Sequence, residues 1–280
     1  MRLLATTLLA LAGTLSASVG VAHAAPSDRL VAFVREKSAV IEMLQTKATR
    51  TVATAAHDPF ILDYVVASRD DVREILLPKV NRQLVGIQAG LQVEEICLIA
   101  PDGREYARVV RGEVAADLSE DESGAPFFEP SWQLTGGNPY VTQVYRSPDT
   151  GEWVIGYAMP VGGPGEQDAL LHLEQSLRRI LLLLEARPAP NNVRWYVIED
   201  DALTLYDSDL GAKSLSPASE SADPAGRFSK PPFDRSVLIA IEQKSLQGES
   251  LGVSLEGQPH NAAARRYGRW MVLALREAGS

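Results

Sequence analysis

Few residues in this chain are of the types that perform catalysis or bind metals. His57, His172 and His260 lie far apart and lack the spacing of a metal site. His172 alternates with leucines in a predicted strand, which favours a structural role. Cys97 is the only cysteine, and its apolar run ICLIA predicts a buried thiol. No nucleophile elbow, H-E-x-x-H motif or P-loop is present. We therefore expect no catalytic residue, bound metal or cofactor, and the chain is not predicted to be an enzyme.

Clustered aromatic residues are better suited to bind a small molecule. Phe127, Phe128 and Trp132 follow the acidic residues 120–122, in a segment predicted to form a loop and a short helix over one face of a sheet. Such aromatic side chains either form the wall of a pocket or cover the core, and the sequence leaves both interpretations open.

A pair of predicted strands follows, and their alternation indicates which side chains share a face. On the first arm, YVTQVY, odd-numbered and even-numbered residues fall on different faces, so Tyr140 and Tyr145 are predicted to point in opposite directions. On the second arm, EWVIGYAMPV, Trp153 and Tyr157 share a face. Tyr, Gln and Trp among apolar residues suit a small-molecule pocket or an ordinary half-buried sheet.

The first half of the chain provides helices and strands that position these residues. Helical spacing covers residues 27–56 and 70–88, with a break at Asp58-Pro59 and a predicted kink at Pro78. Residues 94–112 then form a predicted hairpin around a Pro-Asp-Gly turn. After the second hairpin, the run ALLHLEQSLRRILLLLEA is predicted to be a strand that continues into a helix.

The second half of the chain predicts a smaller sheet. Residues 191–206 form a predicted hairpin, and residues 207–232 have the composition of a long loop. Three further strands are predicted over residues 236–243, 249–255 and 265–277.

The N-terminus and the overall charge indicate an exported protein that does not bind nucleic acid. The first 24 residues have the pattern of a secretory signal peptide: basic Arg2, the apolar residues 3–21 and the small-x-small motif Ala22-His23-Ala24. This pattern predicts cleavage after Ala24. No later apolar run is long enough to span a membrane. The chain has 27 basic and 36 acidic residues, which argues against nucleic acid or an anionic membrane surface as partner. We expect a periplasmic or secreted protein.

Three phrases of the sequence resemble the extracytoplasmic double Cache (PDC-type, PAS-like) sensor family. They are ICLIAPDGRE, YVTQVYRSPDTGEWVIGYAMPV and LHLEQSL, and the resemblance covers residues 27–186. It implies an α+β fold, with a long N-terminal helix before two PAS-like lobes, each an antiparallel sheet flanked by helices. Domains of this family usually lie between two transmembrane helices of a receptor chain, and they bind amino acids, amines, organic acids or purines in the membrane-distal lobe. This chain departs from that layout and resembles a free-standing member.

The resemblance also suggests the domain organisation. We divide the chain into a signal peptide (residues 1–24), a helical stalk (25–90), a membrane-distal-type lobe (91–187) and a second, smaller lobe (188–280).

The family resemblance implies particular ligand-binding residues. Amino-acid-binding members hold the ligand carboxylate with an arginine before paired aromatics, and the amine with an acidic residue at the end of the fifth strand. Glu174 falls at the acidic position, whereas the arginine position falls at Ala125 or a neighbouring residue, so half of that motif is missing. The alternative is that Glu174 caps the helix that begins near Ser176. The ligand-binding residues implied in this way are Phe128, Trp132, Tyr140, Tyr145, Tyr157 and Glu174.

Two functions follow from these features. The first is a sensor domain that binds an amine, amino acid or organic acid and signals through a separate membrane protein. The second is an exported interaction protein that no longer binds a ligand and docks a partner, or a second copy of itself, through its N-terminal helix. A closed, aromatic-lined pocket favours the first function, and an exposed apolar stripe on the helix favours the second.

Overall fold

Two antiparallel sheets and the helices packed against them make up the fold in the computed structural model, which describes residues 26–135, 137–163, 165–211 and 227–279. The predicted signal peptide, residues 1–24, lies outside the described residues. Within the described ranges, no helix has both the length and the apolar content needed to cross a bilayer.

Three helices precede the first sheet: α1 (Pro26–Ala55), α2 (Pro59–Val65) and α3 (Asp70–Leu91). The predicted break at Asp58-Pro59 is confirmed. The Asp58 side chain accepts hydrogen bonds from backbone N–H groups in the first turn of α2, and Pro59 occupies a position where its missing N–H costs nothing. Helix α3 continues through Pro78.

The first sheet has the strand order β3-β2-β1-β7-β6-β4, and β5 also pairs with β6. Its strands are β1 (Glu95–Ile99), β2 (Glu105–Val110), β3 (Glu113–Val114), β4 (Tyr140–Val141), β5 (Tyr145–Arg146), β6 (Trp153–Val161) and β7 (Ala169–Ser176). The short helix α4 (Phe128–Trp132) precedes β4, and α5 (Leu177–Glu185) follows β7. The predicted hairpin of β1 and β2 and the strand-to-helix run after β6 are confirmed. Gly103 adopts the positive φ of 90° that the hairpin turn requires.

The two faces of the first sheet have different neighbours. Ile96 and Leu98 of β1 belong to a large core shared with the N-terminal helices and α5. Cys97 and Ile99 point the other way, into a smaller apolar cluster with Phe127 and Phe128 beside and within α4. The second face is therefore covered by much less structure than the first.

The first arm of the second hairpin departs from regular alternation. Tyr140 and Tyr145 both pack against the small cluster on the α4 side, so the prediction that they point in opposite directions is wrong. The physical reason is the irregular link between β4 and β5. There, the Thr142 hydroxyl accepts a hydrogen bond from the Gly156 N–H (2.8 Å), and the Val144 N–H donates to Glu199. These two bonds interrupt the regular backbone pairing with β6, so the side chains before and after the link no longer alternate between the two faces.

The second sheet has the order β10-β11-β12-β8-β9. Its strands are β8 (Val193–Glu199), β9 (Leu203–Asp207), β10 (Leu251–Leu255), β11 (Gln258–Tyr267) and β12 (Trp270–Glu277), and the outer face is covered by helix α6 (Arg235–Leu246). The predicted hairpin over residues 191–206 is confirmed. Most of the predicted loop over residues 207–232 lies outside the described residues.

Two strand predictions in this half are wrong. Residues 236–243 belong to α6 rather than to a strand, because Leu238, Ile241 and Ser245 are buried at helical spacing. The single strand predicted over residues 265–277 is two strands, the end of β11 and all of β12, joined by a tight turn at Gly268 with φ 55°. A short apolar run fits both periodicities, which explains the first error.

The side chain of Glu199 links the two sheets. It is 1 % exposed at the end of β8, and both of its oxygens lie 3.2 Å from the Val144 N, in the link between β4 and β5. The indole N–H of Trp270 in β12 also donates to Glu199 Oε1 at 3.2 Å. Three elements from both halves of the chain therefore meet at one buried carboxylate.

A buried lysine lies inside the core where α1 meets both halves. Lys37 is 1 % exposed, and its ammonium group donates to the carbonyl oxygens of Leu184 and Arg187 at the C-terminal end of α5. Its Nζ also lies 5.2 Å from the ring centroid of Phe33 and 5.1 Å from that of Trp195 in β8. The carbonyls at the helix terminus and the aromatic faces both favour the charged ammonium.

We expect Lys37→Met to lower the free energy of unfolding by about 1–3 kcal/mol, because two buried carbonyl groups lose their donor. Lys47→Met is the matched control. Lys47 lies on the exposed side of the same helix, where it donates to Gly90 O, and we expect a change within about 0.5 kcal/mol. Urea denaturation measures both values, and equal effects of the two variants would contradict the role of Lys37.

Candidate functional site

A cavity of about 500 Å³ opens on the α4 side of the first sheet. We call it the acidic cavity. Its floor is formed by Glu95 of β1, Tyr145 of β5, and His172 and Glu174 of β7. Its walls are segments of the long connection between β3 and β4, including Phe127, and of the turn between β5 and β6.

The pairing of β1 with β7 assembles this floor. In the antiparallel register, Cys97 lies opposite His172 and Glu95 lies opposite Glu174. Residues two apart on a strand share a face, so all four side chains project from the same side of the sheet. The carboxyl and thiol groups of β1 thus become neighbours of the imidazole and carboxyl groups of β7, although the two strands are distant in the sequence.

Hydrogen bonds order the floor of the cavity. The Tyr145 hydroxyl donates to Glu174 Oε1 (2.6 Å), and its oxygen lies 3.2 Å from His172 Nε2. Since the single hydroxyl proton points to Glu174, the proton between Tyr145 and His172 belongs to Nε2. His172 Nδ1 therefore presents its lone pair to Cys97 Sγ, 3.5 Å away. The Phe127 ring stacks on the imidazole with centroids 3.6 Å apart.

Gly156 of β6 makes room for this arrangement. A Cβ atom at this position would lie 2.9 Å from His172 Nε2 and 3.0 Å from the Thr142 methyl carbon. Any larger residue would displace the imidazole ring, so glycine is the residue that allows strands β6 and β7 and the Tyr145 side chain to pack together here.

The residues lining the cavity are predominantly acidic. Its acidic residues are Glu95, Asp121, Glu122, Asp149 and Glu174, whereas Arg146 is its arginine. A second, buried arginine lies nearby. Arg108 forms ion pairs with Asp149 and Glu105, so its charge is shared among several carboxylates.

Burial changes the protonation equilibria of the floor. Desolvation raises the pKa of Glu95, and the neighbouring Glu174 raises it further. The pKa of Glu174 is also raised by desolvation, although hydrogen bonds from the side chains of Tyr145 and Ser147 oppose the shift. Burial lowers the pKa of His172 to about 3 and raises that of Cys97, so both side chains are neutral at pH 7.

Two carboxylate oxygens on the floor have no hydrogen-bond partner. Oε2 of Glu95 and Oε2 of Glu174 are buried and unpaired, and each residue is only 2 % exposed. An unpaired buried acceptor costs about 1–3 kcal/mol, and more if it is charged. Such groups are usually satisfied by water, a proton, an ion or a ligand.

Two of the six predicted binding residues line the acidic cavity, three lie beside it on the same face of the sheet, and one lies on the opposite face. Tyr145 and Glu174 line the cavity. Phe128, Trp132 and Tyr140 lie on the same face of the sheet but pack in the apolar cluster around α4 rather than in the cavity wall. The paired aromatic that does line the cavity is Phe127.

Tyr157 lies on the opposite face of the sheet. It is fully buried in the large core, and its hydroxyl donates to Gln175 Oε1 at 3.2 Å. Tyr157 shares this face with Trp153, as predicted, but the face points toward α1 and away from the acidic cavity. Placing Tyr157 in the cavity wall was therefore wrong.

The alternative role for Glu174, capping α5, is also wrong. The Ser176 hydroxyl accepts the hydrogen bond from the Arg179 N–H at the start of that helix (3.3 Å), while Glu174 is buried two residues earlier in β7. Ala125, at the expected arginine position, does line the cavity. The cavity's arginine, Arg146, comes from β5, and its Nε donates to Gly151 O.

Sequence reasoning missed Glu95, Cys97 and His172 as neighbours. The signal was present as the pattern E-x-C in one predicted strand and H-x-E in another, and both would share a face if these strands paired. Cys97 and His172 are 75 residues apart in the sequence, so their spacing along the chain gives no sign that they are neighbours. Only the strand order, which the sequence does not specify, places them side by side.

Comparison with known proteins identifies the fold. No protein-family model matches the sequence, and no curated protein is significantly similar to it. Among solved structures, the sensory domain of the Campylobacter jejuni chemoreceptor Tlp3 with isoleucine bound has a TM-score of 0.65 and 12 % identity, covering 89 % of this chain and 91 % of that one. The sensor domain of the V. cholerae histidine kinase DctB has a TM-score of 0.57 and 13 % identity, covering 89 % and 96 %.

A third similar structure is a domain of a sensory box/GGDEF family protein from Vibrio parahaemolyticus, with a TM-score of 0.61 and 12 % identity, covering 90 % of this chain and 94 % of that one. The chain thus has the fold of extracytoplasmic double Cache (PDC-type) sensor domains, and the fold that the sequence resemblance implied is confirmed. At these identities the likeness establishes the fold alone.

The raised pKa of Glu174 predicts how stability changes with pH. The folded state holds this proton more tightly than the unfolded state, so the contribution of Glu174 to stability is fully present below about pH 4.5 and is lost as the pH rises through the higher folded pKa. Glu174→Gln cannot ionise, and its amide oxygen can still accept from Tyr145. We therefore expect the variant to gain stability relative to the native protein as the pH rises from about 4.5 toward neutral.

Urea denaturation at several pH values measures this difference. Glu113→Gln, at an exposed position in β3, is the control and should follow the native protein throughout. A constant difference between Glu174→Gln and the native protein would contradict the raised pKa.

Proposed function

We propose that this chain is an extracytoplasmic sensor domain whose acidic cavity binds a small ligand carrying an ammonium group. The observation that carries the proposal is the acidic lining of the cavity, five carboxyl-bearing residues against Arg146, together with the buried, unpaired Oε2 of Glu174. A cationic group in this position would satisfy a buried acceptor that is otherwise costly.

The geometry of Glu174 suits one charge-assisted hydrogen bond to the ligand. Oε1 is already held by the Tyr145 hydroxyl, which fixes the carboxylate, and Oε2 is left free to accept from an ammonium group. A hydrogen bond to a charged group contributes about 1.5–3 kcal/mol. A cavity of about 500 Å³ matches the size range of small-molecule sites and accommodates an amine or an amino acid.

The neighbouring structures support the sensor class. The Tlp3 sensory domain has been solved with isoleucine bound and also with L-valine, and each structure aligns with 89 % of this chain. We propose the same class of activity here, in the periplasm or outside the cell, with occupancy passed to a separate membrane protein. The signal peptide, the domain boundaries and the free-standing character are part of this proposal.

The alternative of a docking protein receives less support from the surface of α1. The outward-facing side of this helix is charged, with exposed Arg35, Glu36, Glu42 and Arg50. Over the described part of α1, Met43 is the one large apolar side chain that is exposed. A partner helix or second copy would need a continuous apolar stripe, and a single methionine does not provide one.

The test is a thermal-shift screen of the protein against amines, amino acids, organic acids and purines. A ligand that binds only the folded state stabilises it by about 2.7 kcal/mol at a hundredfold excess over its dissociation constant. We expect stabilisation by compounds with an ammonium group and none by purely anionic acids. Titration calorimetry with the best compound should show that Glu174→Gln weakens binding by about tenfold or more, because the variant loses a charged acceptor.

Glu113→Gln again serves as the control and should bind like the native protein. Stabilisation by dicarboxylates without any by amines would contradict the proposed charge preference. Unchanged affinity of Glu174→Gln for a confirmed amine ligand would exclude the proposed role of that carboxylate.

A further inference from the structure

The four polar side chains on the floor of the acidic cavity have an unusual composition for an organic-ligand site. Carboxylates alone would suit an ammonium group, whereas a thiol adds little to the binding of such a cation and the free lone pair of the imidazole points to this thiol. Donor atoms of Glu95, Cys97 and His172 all lie within 4.8 Å of one another, and the three residues are at most 2 % exposed. This combination is typical of a metal site.

From this cluster we propose that Glu95, Cys97 and His172 bind a divalent transition metal, and that Zn²⁺ is the ion that their chemistry fits best. The proposal departs from our sequence-based expectation of no bound metal. It goes beyond the proposed ammonium site and does not depend on it, because the metal uses Glu95 and the ammonium group uses Glu174.

The spacing of the donors fits tetrahedral coordination. With a Zn–S distance of about 2.3 Å and a Zn–N distance of about 2.05 Å, a tetrahedral angle places sulfur and nitrogen about 3.6 Å apart. Cys97 Sγ and His172 Nδ1 lie 3.5 Å apart. A zinc ion therefore fits between them with little rearrangement. Because Cys97 and His172 face each other across the β1–β7 ladder, rigid backbone holds this spacing.

The surroundings of His172 resemble the outer shell of a metal ligand. Its Nε2–H donates to Tyr145, and Tyr145 donates to Glu174, so Nδ1 is left as the free lone pair that points to Cys97. Metal-binding histidines usually donate their other N–H to a polar group, which fixes the tautomer and the ring orientation. Phe127 stacks on the ring and restricts its rotation.

Glu95 provides the third donor. Its Oε2 is buried without a hydrogen-bond partner, and its neighbour across the ladder is Glu174, a second acid. A divalent ion would pair with this unpaired oxygen and would favour the ionised form of both carboxyl groups. The arginine on the adjacent strand, Arg108, is paired with Glu105 and Asp149 and leaves Glu95 Oε2 unsatisfied.

The donor set discriminates between metals. Thiolate and imidazole favour Zn²⁺ and other late transition metals, whereas Ca²⁺ and Mg²⁺ prefer sites made of oxygen atoms alone. Zinc binding would release the protons of the Cys97 thiol and the Glu95 carboxyl group to solvent, since the thiolate and the carboxylate are the ligands. Three protein ligands leave the fourth position open, and because Glu95 and His172 both line the cavity, that position faces the space where a small ligand would lie.

Cobalt substitution tests the site in the native protein. Since Cys97 is the only cysteine in the chain, a thiolate-to-cobalt charge-transfer band in the near ultraviolet can arise only from this residue. We expect one equivalent of Co²⁺ to produce that band together with intense visible bands of a four-coordinate ion, and one equivalent of Zn²⁺ to abolish them. A folded protein that takes up Co²⁺ without a thiolate band would overturn the proposal and would indicate an adventitious ion only.

Variants then assign the donors. Cys97→Ala should eliminate the thiolate band and weaken Zn²⁺ binding by at least about 100-fold. Tyr145→Phe, which removes only the hydroxyl that contacts His172 and Glu174, should weaken it by about 10–100-fold, as expected for an outer-shell partner. His57→Gln, at an exposed histidine elsewhere on the surface, is the control and should bind Zn²⁺ like the native protein. Equal Zn²⁺ affinity in Cys97→Ala and the native protein would overturn the assignment.

Failure of this site and failure of the ammonium site give different results. Repeating the thermal-shift screen with a chelator present, with no metal added, tests the ammonium site alone. Amine binding under these conditions, with no thiolate band from Co²⁺, would overturn the metal site and leave the ammonium site in place. A thiolate band without stabilisation by any amine, with or without Zn²⁺, would establish the metal site and overturn the ammonium site.

Discussion

One buried helix face, shared by both sheets, is the constraint on which the rest of this structure depends. Helix α1 is 30 residues long, about 45 Å, and its buried side chains belong to a core that includes residues of the first and the second sheet. Each sheet must present a complementary apolar face to the same helix. Lys37 lies within this face, where its ammonium group satisfies carbonyls at the end of α5 and contacts an aromatic ring of β8. The packing of one helix thereby determines how both sheets are oriented.

Because the first sheet packs on α1 with one face, its opposite face contributes less apolar burial to the stability of the fold. The large core is on the α1 side, and the α4 side holds only a small apolar cluster. Polar groups can therefore be placed there without interrupting the main core. Glu95, His172 and Glu174 occupy this face at a cost in desolvation, and a site that carries such a cost is typical of regions that bind ligands. The large apolar core therefore lies on one side of the sheet, and the buried acidic residues and the histidine lie on the other.

The sequence predicted most of the elements but not how they come together. Local signals were sufficient for the helix break at Pro59 and for the hairpin turn at Gly103, because each depends on backbone geometry within a few residues. They failed at α6, where a short apolar run fits helix and strand equally. Tyr145 was predicted to line the binding site from the family resemblance, but its direction depends on hydrogen bonds from the Gly156 N–H and to Glu199, both remote in the sequence. The neighbours Cys97 and His172 required the strand order itself.

The side chain of Glu199 connects the floor of the cavity to the second sheet. Its carboxylate accepts the Val144 N–H, and Val144 is bonded directly to Tyr145, which forms part of the cavity floor. The carboxylate is also held by Trp270 in the second sheet. The Val144 N–H belongs to the planar peptide between residues 143 and 144, and only the φ and ψ rotations of Val144 separate this peptide from the one that leads into Tyr145. A shift of Tyr145 large enough to move its backbone would either pull Glu199 along or leave a buried carboxylate without its backbone donor. Keeping this hydrogen bond while Tyr145 moves requires either rotation at Val144 or a shift of the second sheet, so Val144 and Glu199 connect the cavity floor to the second sheet.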